Sequence, residues 1–374
     1  MSTNQTLKNP LQVVLVTGGC GFIGSNFIRT LLSRYTAATV INVDKLTYAG
    51  NPTNTLDLES TFGERYIFVK GDITDKHLLT SIFERTHTAF EKLPKKESIT
   101  SIVNFAAESH VDRSILDSSP FIKTNVSGTQ ILLGISREYN VTKFLQVSTD
   151  EVYGDASPDK NFDESSSLLP SSPYAASKAA ADLLVLSYFK TYRLPVVLTR
   201  SSNNFGPYQF PEKLIPLMIS KAISGQNLPI YGDGKQSRDW LYVGDNCDAL
   251  IRVLTQGEDG NIYNISGNQE LSNIDMVHTI CQLISDKTGI PLKHYSDLIR
   301  YVEDRPGHDI RYSCVSNKVL SKIGWRPSEN FLQNLEYTVD WYLSNQSWVQ
   351  AAMDRDYEAY YKQVYNHLWG ISSE

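Results

Sequence analysis

The chain has 374 residues, 41% hydrophobic and 20% charged, with a net charge of −6; this is globular composition for two domains of roughly 100–200 residues each, not a general nucleic-acid binder. Its four cysteines (Cys20, Cys247, Cys281, Cys314) form no C-x-x-C pair, which excludes a disulfide framework or zinc ribbon and fits a reducing cytoplasm. No apolar run reaches about 18 residues, and the polar stretch Met1–Pro10 is unlike a signal peptide, so a cytoplasmic protein without membrane association is expected.

In chain order, Val13–Thr17, Val40–Val43, Tyr66–Lys70, Ser101–Phe105, Lys143–Ser148 and Val196–Arg200 read as β-rich apolar strands. Between them Phe22–Arg34, Phe121–Tyr139 and Pro173–Tyr192 read as helices. Apolar strands alternating with helices predict a parallel sheet covered on both faces. Glu84–Thr100 is polar and reads as a surface loop or a helix extension. After Ser201 the rhythm breaks at Pro207, Pro211, Pro216, Gly225, Pro229, Gly232 and Gly234. The expected division is 1–200 for one domain and 201–374 for a smaller mixed α/β domain. Val243–Leu254 reads as one amphipathic helix, and part of 240–265 is expected to return to the first domain. The aromatic end, Asn345–Trp369, is either a partner surface or a helix packing Trp348, Tyr361 and Trp369 on the body.

Gly18-Gly19-Cys20-Gly21-Phe22-Ile23-Gly24 lies where the first strand meets the first helix. Glycines allow a tight turn and close approach of a pyrophosphate, and the helix start offers free N–H groups. In this strand–turn–helix context the loop predicts a Rossmann-type, doubly wound dinucleotide fold. Asp44 ends the second strand about 20 residues later, where a carboxylate binds ribose hydroxyls and repels a 2′-phosphate. NAD is therefore favoured over NADP, although Lys45 follows. Asp72 either reaches the adenine or caps a helix. Ala106 and Ala107 are small, as a strand end beside a cofactor requires.

Tyr174-Ala175-Ala176-Ser177-Lys178 places a phenol and an ammonium on one helix face. The cation is expected to lower the phenol pKa and make Tyr174 a base toward an alcohol. Thr149-Asp150-Glu151 closes the fifth strand, at the carboxyl end that faces the crevice. Thr149 can hydrogen-bond a reacting oxygen. Two adjacent carboxylates suggest acid and base work beyond hydride transfer; a solvated acidic turn is the other reading.

These residues resemble the extended short-chain dehydrogenase/reductase family. More narrowly, Asn42–Gly50, Ala106–Ser114, Ser148–Gly154, Ser171–Lys178, Ser202–Pro216, Arg238–Val243 and Asp304–Asp309 resemble the dTDP-glucose 4,6-dehydratases, from about residue 11 to beyond 345. Thr149-Asp150-Glu151 is the dehydratase version: related decarboxylases carry serine at the Asp150 position, and 4-epimerases lack the acidic pair. Cys20 in the glycine loop and Gly244 before Asp245 depart from the family pattern without touching a catalytic position.

The resemblance implies that NAD is held by Gly18, Gly21, Phe22, Ile23, Gly24, Asp44, Lys45, Leu46, Thr47, Asp72, Ile73, Phe105, Ala106, Ala107, Ser109, Thr124, Tyr174, Lys178 and Asn204. It places a nucleoside-diphosphate sugar against Ser109, Thr149, Asn203, Lys213, Leu214, Pro229, Tyr231, Arg238, Asn264, Arg305 and His308. Arg113 and Arg311 read as ordinary. In the implied cycle Tyr174 takes the 4-hydroxyl proton with Lys178 and Thr149 assisting, Glu151 takes the C5 proton, and Asp150 protonates the departing C6 hydroxyl. No metal is implied, and a homodimer through a four-helix contact is expected. UDP-glucose dehydration, a 4-epimerase, a decarboxylase and a silent dinucleotide sensor are the competing readings.

Overall fold

The computed structural model describes residues 9–90, 98–304 and 306–353. Strand β1 (Val13–Thr17) is apolar and wholly buried. Its alternate side chains enter opposite cores, Val14 and Val16 on one face, Val13 and Leu15 on the other. That two-sided burial follows from a period of two in a sheet covered on both faces. The remaining strands of the chain's first 201 residues are β2 (Thr39–Asp44), β3 (Tyr66–Lys70), β4 (Ser101–Asn104), β5 (Lys143–Thr149) and β6 (Val196–Ser201).

With β1 they form a parallel sheet, joined by a strand from much later in the chain. Strands β7 (Asn203–Phe205), β8 (Leu228–Tyr231) and β9 (Ser237–Tyr242) intervene before β10 (Ile262–Ile265) pairs with β6. The order is β10-β6-β5-β4-β1-β2-β3, seven strands. Strand order reverses between β1 and β4, where ligands bind in open α/β sheets.

Helices α1 (Phe22–Arg34), α2 (Leu56–Phe62), α3 (Lys76–Phe83), α4 (Val111–Leu116), α5 (Ser119–Phe121), α6 (Thr129–Glu138) and α7 (Pro173–Tyr192) connect the strands. Phe121–Tyr139 reads as one helix in sequence, but Ile122–Gly128 is a π-helical stretch. Ser172 starts α7 by accepting a hydrogen bond from the Ala175 N–H, with Pro173 behind it.

After α8 (Leu214–Ile223), α9 (Val243–Gln256) packs beside α1 in the core under the first sheet. The other late elements are β11 (Glu270–Ser272), α10 (Asn273–Thr288), α11 (Leu292–Ser296), β12 (Ile299–Val302), β13 (Arg311–Tyr312), α12 (Asn317–Ile323), α13 (Phe331–Ser344) and α14 (Gln346–Met353). Strands β11, β9, β13 and β7 make a mixed sheet, and β12 pairs with β8. A separate core, including Ile219, Met276, Ile280 and Val339, fills this second region.

The polar stretch after α3 contains a single 3-10 turn, Thr88–Phe90, before residues outside the description. At the other end, Trp348 packs on the body beside Phe210, while Tyr361 and Trp369 lie outside the described residues. Among the described residues no helix is long and apolar enough to cross a membrane.

Candidate active site

The carboxyl ends of the central strands open into a cavity of about 300 Å³, whose lining includes Gly18, Asp44, Thr149, Tyr174 and Lys213. Gly18 has φ +71°, and a Cβ there would stand 2.7 Å from the Ala106 nitrogen. A side chain would therefore both strain the turn and push β4 away. Gly21 differs: a Cβ built on it meets only the Gly18 oxygen at 3.3 Å. The space above it is a cradle that a side chain would fill. Gly21 is the N-cap of α1 and offers no side chain to the helix N–H groups. An open, dipole-bearing helix start suits a pyrophosphate, so these residues fit a dinucleotide.

At the end of β2, Asp44 accepts from the Cys20 and Leu46 N–H groups, each at 2.8 Å. Burial raises its pKa, and those two bonds oppose the rise. Lys45 pairs with Asp72 at 2.9 Å. Asp72 is no helix cap: Asp75 caps α3, and Asp72 accepts from the Thr74 N–H in a turn. Burial would raise its pKa, but Thr74 and Lys45 prevail and lower it. The π-helical stretch brings Thr124 to the cavity wall.

Across the cavity, β5 ends at Thr149, whose hydroxyl accepts from the Glu151 N–H and caps the short turn Asp150–Tyr153. Tyr174 hydrogen-bonds the Thr149 side chain, and Lys178 Nζ donates to the Val147 carbonyl at 2.7 Å. Asp150 is buried, and its Oδ2 has no hydrogen-bond partner among the described residues. Burial, then Glu151 and Asp239, drive its pKa well up, with Arg238 opposing. That shift favours the protonated form, the one able to donate a proton.

The tyrosine reverses an expectation. Spacing predicts a phenol acidified by Lys178, but burial, followed by Glu151 and Asp150, raises the Tyr174 pKa. Lys178 is itself pushed down to about 8 by burial, against the pull of Asp182. At this depth desolvation and two carboxyl groups outweigh one ammonium.

A family model described as GDP-mannose 4,6 dehydratase matches residues 15–338. A dTDP-glucose 4,6-dehydratase of Xanthomonas campestris pv. campestris is 48% identical over 356 residues, covering 92% of this chain and 96% of that one. The chain belongs to the 4,6-dehydratase family. Among solved structures, the dTDP-glucose 4,6-dehydratase of Streptomyces venezuelae with NAD and TYD bound superposes with a TM-score of 0.82 at 43% identity, covering 91% and 99% of the two chains. The Bacillus anthracis dTDP-glucose 4,6-dehydratase in complex with NAD gives 0.80, also at 43% and with the same coverage.

Against the dehydratase pattern, the cavity gathers every described residue expected at the cofactor except Leu46. Leu46 instead serves Asp44 through its N–H, at φ +59°. Ser109, Thr149, Asn203 and Lys213 also line the cavity. Asn203 Oδ1 is buried there without a hydrogen-bond partner. Lys213 Nζ reaches across to the Ser109 carbonyl at 3.1 Å.

Leu214, Pro229, Tyr231, Arg238 and His308 stand in the second region without lining this cavity. His308 lies 2.6 Å from Asp304, and its ring meets Tyr231 edge-on. Arg238 donates to the Asp309 carbonyl and covers the Tyr312 ring at 4.2 Å. Asn264 on β10 is buried: its Oδ1 accepts from the Tyr153 hydroxyl at 2.8 Å, and its Nδ2 has no hydrogen-bond partner among the described residues. Arg305 lies outside the described residues.

Sequence reasoning missed Glu108, Gln209 and Glu212 on the cavity wall. Glu212 is pushed up to about 7 by burial, with Lys213 and Arg113 opposing. Its one sequence signal was adjacency to Lys213 in a proline-rich turn. Arg113 is not ordinary: it stacks on Tyr48 at 3.8 Å and lies 3.7 Å from Glu212. Arg311 likewise grips Glu270 with both arms and holds the Ser157 and Lys160 carbonyls.

Proposed function

We infer that the protein is an NAD-dependent hydro-lyase that converts dTDP-glucose to its 4-keto-6-deoxy derivative. The observation that carries this reading is Asp150: a buried carboxyl whose pKa is driven well up, beside a strand end that also carries Thr149 and Glu151. A 4-epimerase moves hydride and one hydroxyl proton and has no use for it.

Gly18, Gly21 and the first turn of α1 would hold the pyrophosphate, Asp44 the ribose, and Tyr174 and Lys178 the nicotinamide end. Bound NAD supplies a hydride acceptor for sugar C4, a hydride donor for C6, and the positive charge of its oxidised ring. Tyr174, as phenolate, accepts the 4-hydroxyl proton; its raised pKa makes forming that phenolate the demanding part, which nearby positive charge would ease. Thr149 donates to the sugar oxygen as it becomes a ketone. Glu151 takes the C5 proton that the ketone has acidified. Asp150 gives its proton to the C6 oxygen, which leaves as water, and Glu151 returns a proton to C5 when hydride reaches C6. Lys213 and Asn203, with Arg238, Arg305 and His308 beyond them, are assigned to the nucleotide sugar.

The division of labour follows the two regions: residues up to about 200, with part of 240–265, hold NAD and the catalytic groups, and the rest holds the nucleotide. A homodimer is assigned to the outer face of α7, where Leu183 and Tyr192 are exposed beside the exposed Ile122. Four buried free thiols favour the cytoplasm.

The test is mass spectrometry of dTDP-glucose and UDP-glucose incubated with the protein. Loss of one water without net NADH is expected, faster from the dTDP sugar. An isomeric product would identify an epimerase, and loss of carbon dioxide from a uronic-acid sugar a decarboxylase.

A further inference from the structure

We propose that Trp348 and Asn54 are positioning residues for the dinucleotide, through which α14 of the second region sets the conformation of the glycine loop. The cofactor reading above is the basis of this assignment. The Trp348 indole N–H donates to Asn54 Oδ1 at 2.8 Å, and Asn54 Nδ2 donates to the Cys20 carbonyl at 2.9 Å. That carbonyl also receives the Asn51 N–H at 3.1 Å, while the Cys20 N–H is held by Asp44. The peptide groups on both sides of residue 20 are thereby fixed, immediately before the open cradle at Gly21.

Nothing in the loop itself could hold that carbonyl, since its neighbours are glycines. Asn54 is buried, its amide committed at both ends, so its rotamer is decided by the indole on one side and the loop on the other. The indole is in turn oriented by an aromatic cluster. Trp348 meets Trp341 at 5.0 Å and Tyr208 at 6.1 Å between ring centroids. Arg29 of α1 lies over Tyr208 at 5.0 Å and donates to the Asn54 carbonyl at 2.7 Å. The same cluster touches the substrate side, where the Tyr342 hydroxyl donates to the carbonyl of cavity-lining Gln209.

A buried amide left without its donor loses orientation, and the loop loses its clamp. Trp348→Phe keeps the ring and removes the N–H. Asn54→Asp keeps an acceptor for the indole and removes the donor to Cys20. Trp341→Phe keeps a ring against Trp348 and leaves the indole N–H, Asn54 and Cys20 in place.

The experiment measures the NAD dissociation constant by titrating NAD-stripped protein, with amide hydrogen exchange at 18–24 in the NAD-free chain. Trp348→Phe and Asn54→Asp should each weaken NAD binding about tenfold and speed loop exchange, and the double variant should be no worse than the poorer single. Trp341→Phe should leave both readouts unchanged. Equal losses in Trp341→Phe and Trp348→Phe would reduce the contact to packing and overturn the proposal. So would unchanged affinity and exchange in Asn54→Asp. Failure of the wild-type chain to bind NAD would instead sink the cofactor reading.

Discussion

Two strand ends face each other across the cavity, and each carries a buried aspartate. Asp44 at the end of β2 receives two backbone N–H groups, whereas Asp150 after β5 keeps an oxygen without a partner and sits beside Glu151 and Asp239. Burial raises both pKa values, but the donors at Asp44 oppose it and the neighbouring carboxyls at Asp150 add to it. The same residue type at two strand ends of one sheet is thus proposed for two roles, an acceptor of ribose hydroxyls in one case and a proton donor in the other. What separates them is two backbone donors at Asp44 and two neighbouring carboxyls at Asp150.

The comparison can be broken by substitution. Tyr174→Phe removes the proton acceptor between them and should lower turnover by about 10³–10⁴, with no transient NADH at 340 nm on adding substrate. Asp150→Asn should lower turnover by about 10²–10³, yet NADH should now accumulate, because oxidation outlives elimination. Asp44→Asn should do neither. It should weaken NAD binding about tenfold and leave turnover near wild type at saturating NAD. If Asp44→Asn accumulated NADH, or Asp150→Asn merely weakened NAD binding, the contrast would collapse.

A smaller effect sharpens the electrostatic side. Lys178 titrates at about 8 in the fold against 10.5 ordinarily. Between those values the unfolded chain binds the extra proton, so stability should rise with pH across that window. The gain approaches about 3 kcal/mol. Melting temperatures measured from pH 7.5 to 10.5 should show this rise in the wild type and lose it in Lys178→Met. The same deprotonation should make kcat/KM fall as pH passes about 8.

How much was legible depended on whether the chemistry was local. Gly18–Gly24, Tyr174 with Lys178, and Thr149–Glu151 are short segments at strand ends, where spacing alone states the geometry. The raised pKa of Asp150 followed from its neighbour and its place. The sign at Tyr174 did not, because it depends on how deeply α7 packs and on two carboxyls from another element. Glu212 comes from the loop before α8 and Arg113 from α4, and only folding brings them together. The burial of Asn264 was not legible either, because its strand joins the seven-stranded sheet. Strand β10 is spliced in from beyond residue 240, so nothing in its own four residues reveals its neighbour.

That splice has a consequence for dissection of the molecule. A fragment ending at Ser201 would contain the glycine loop and the five side chains proposed as catalytic, and would look self-sufficient in sequence. It would also bare the edge of β6 that β10 covers and the face of α1 that α9 covers. An unprotected parallel edge beside an exposed apolar helix face invites association between copies. The NAD-binding half is therefore no portable module, and the chain is best cut, labelled or permuted at surface loops of the second region.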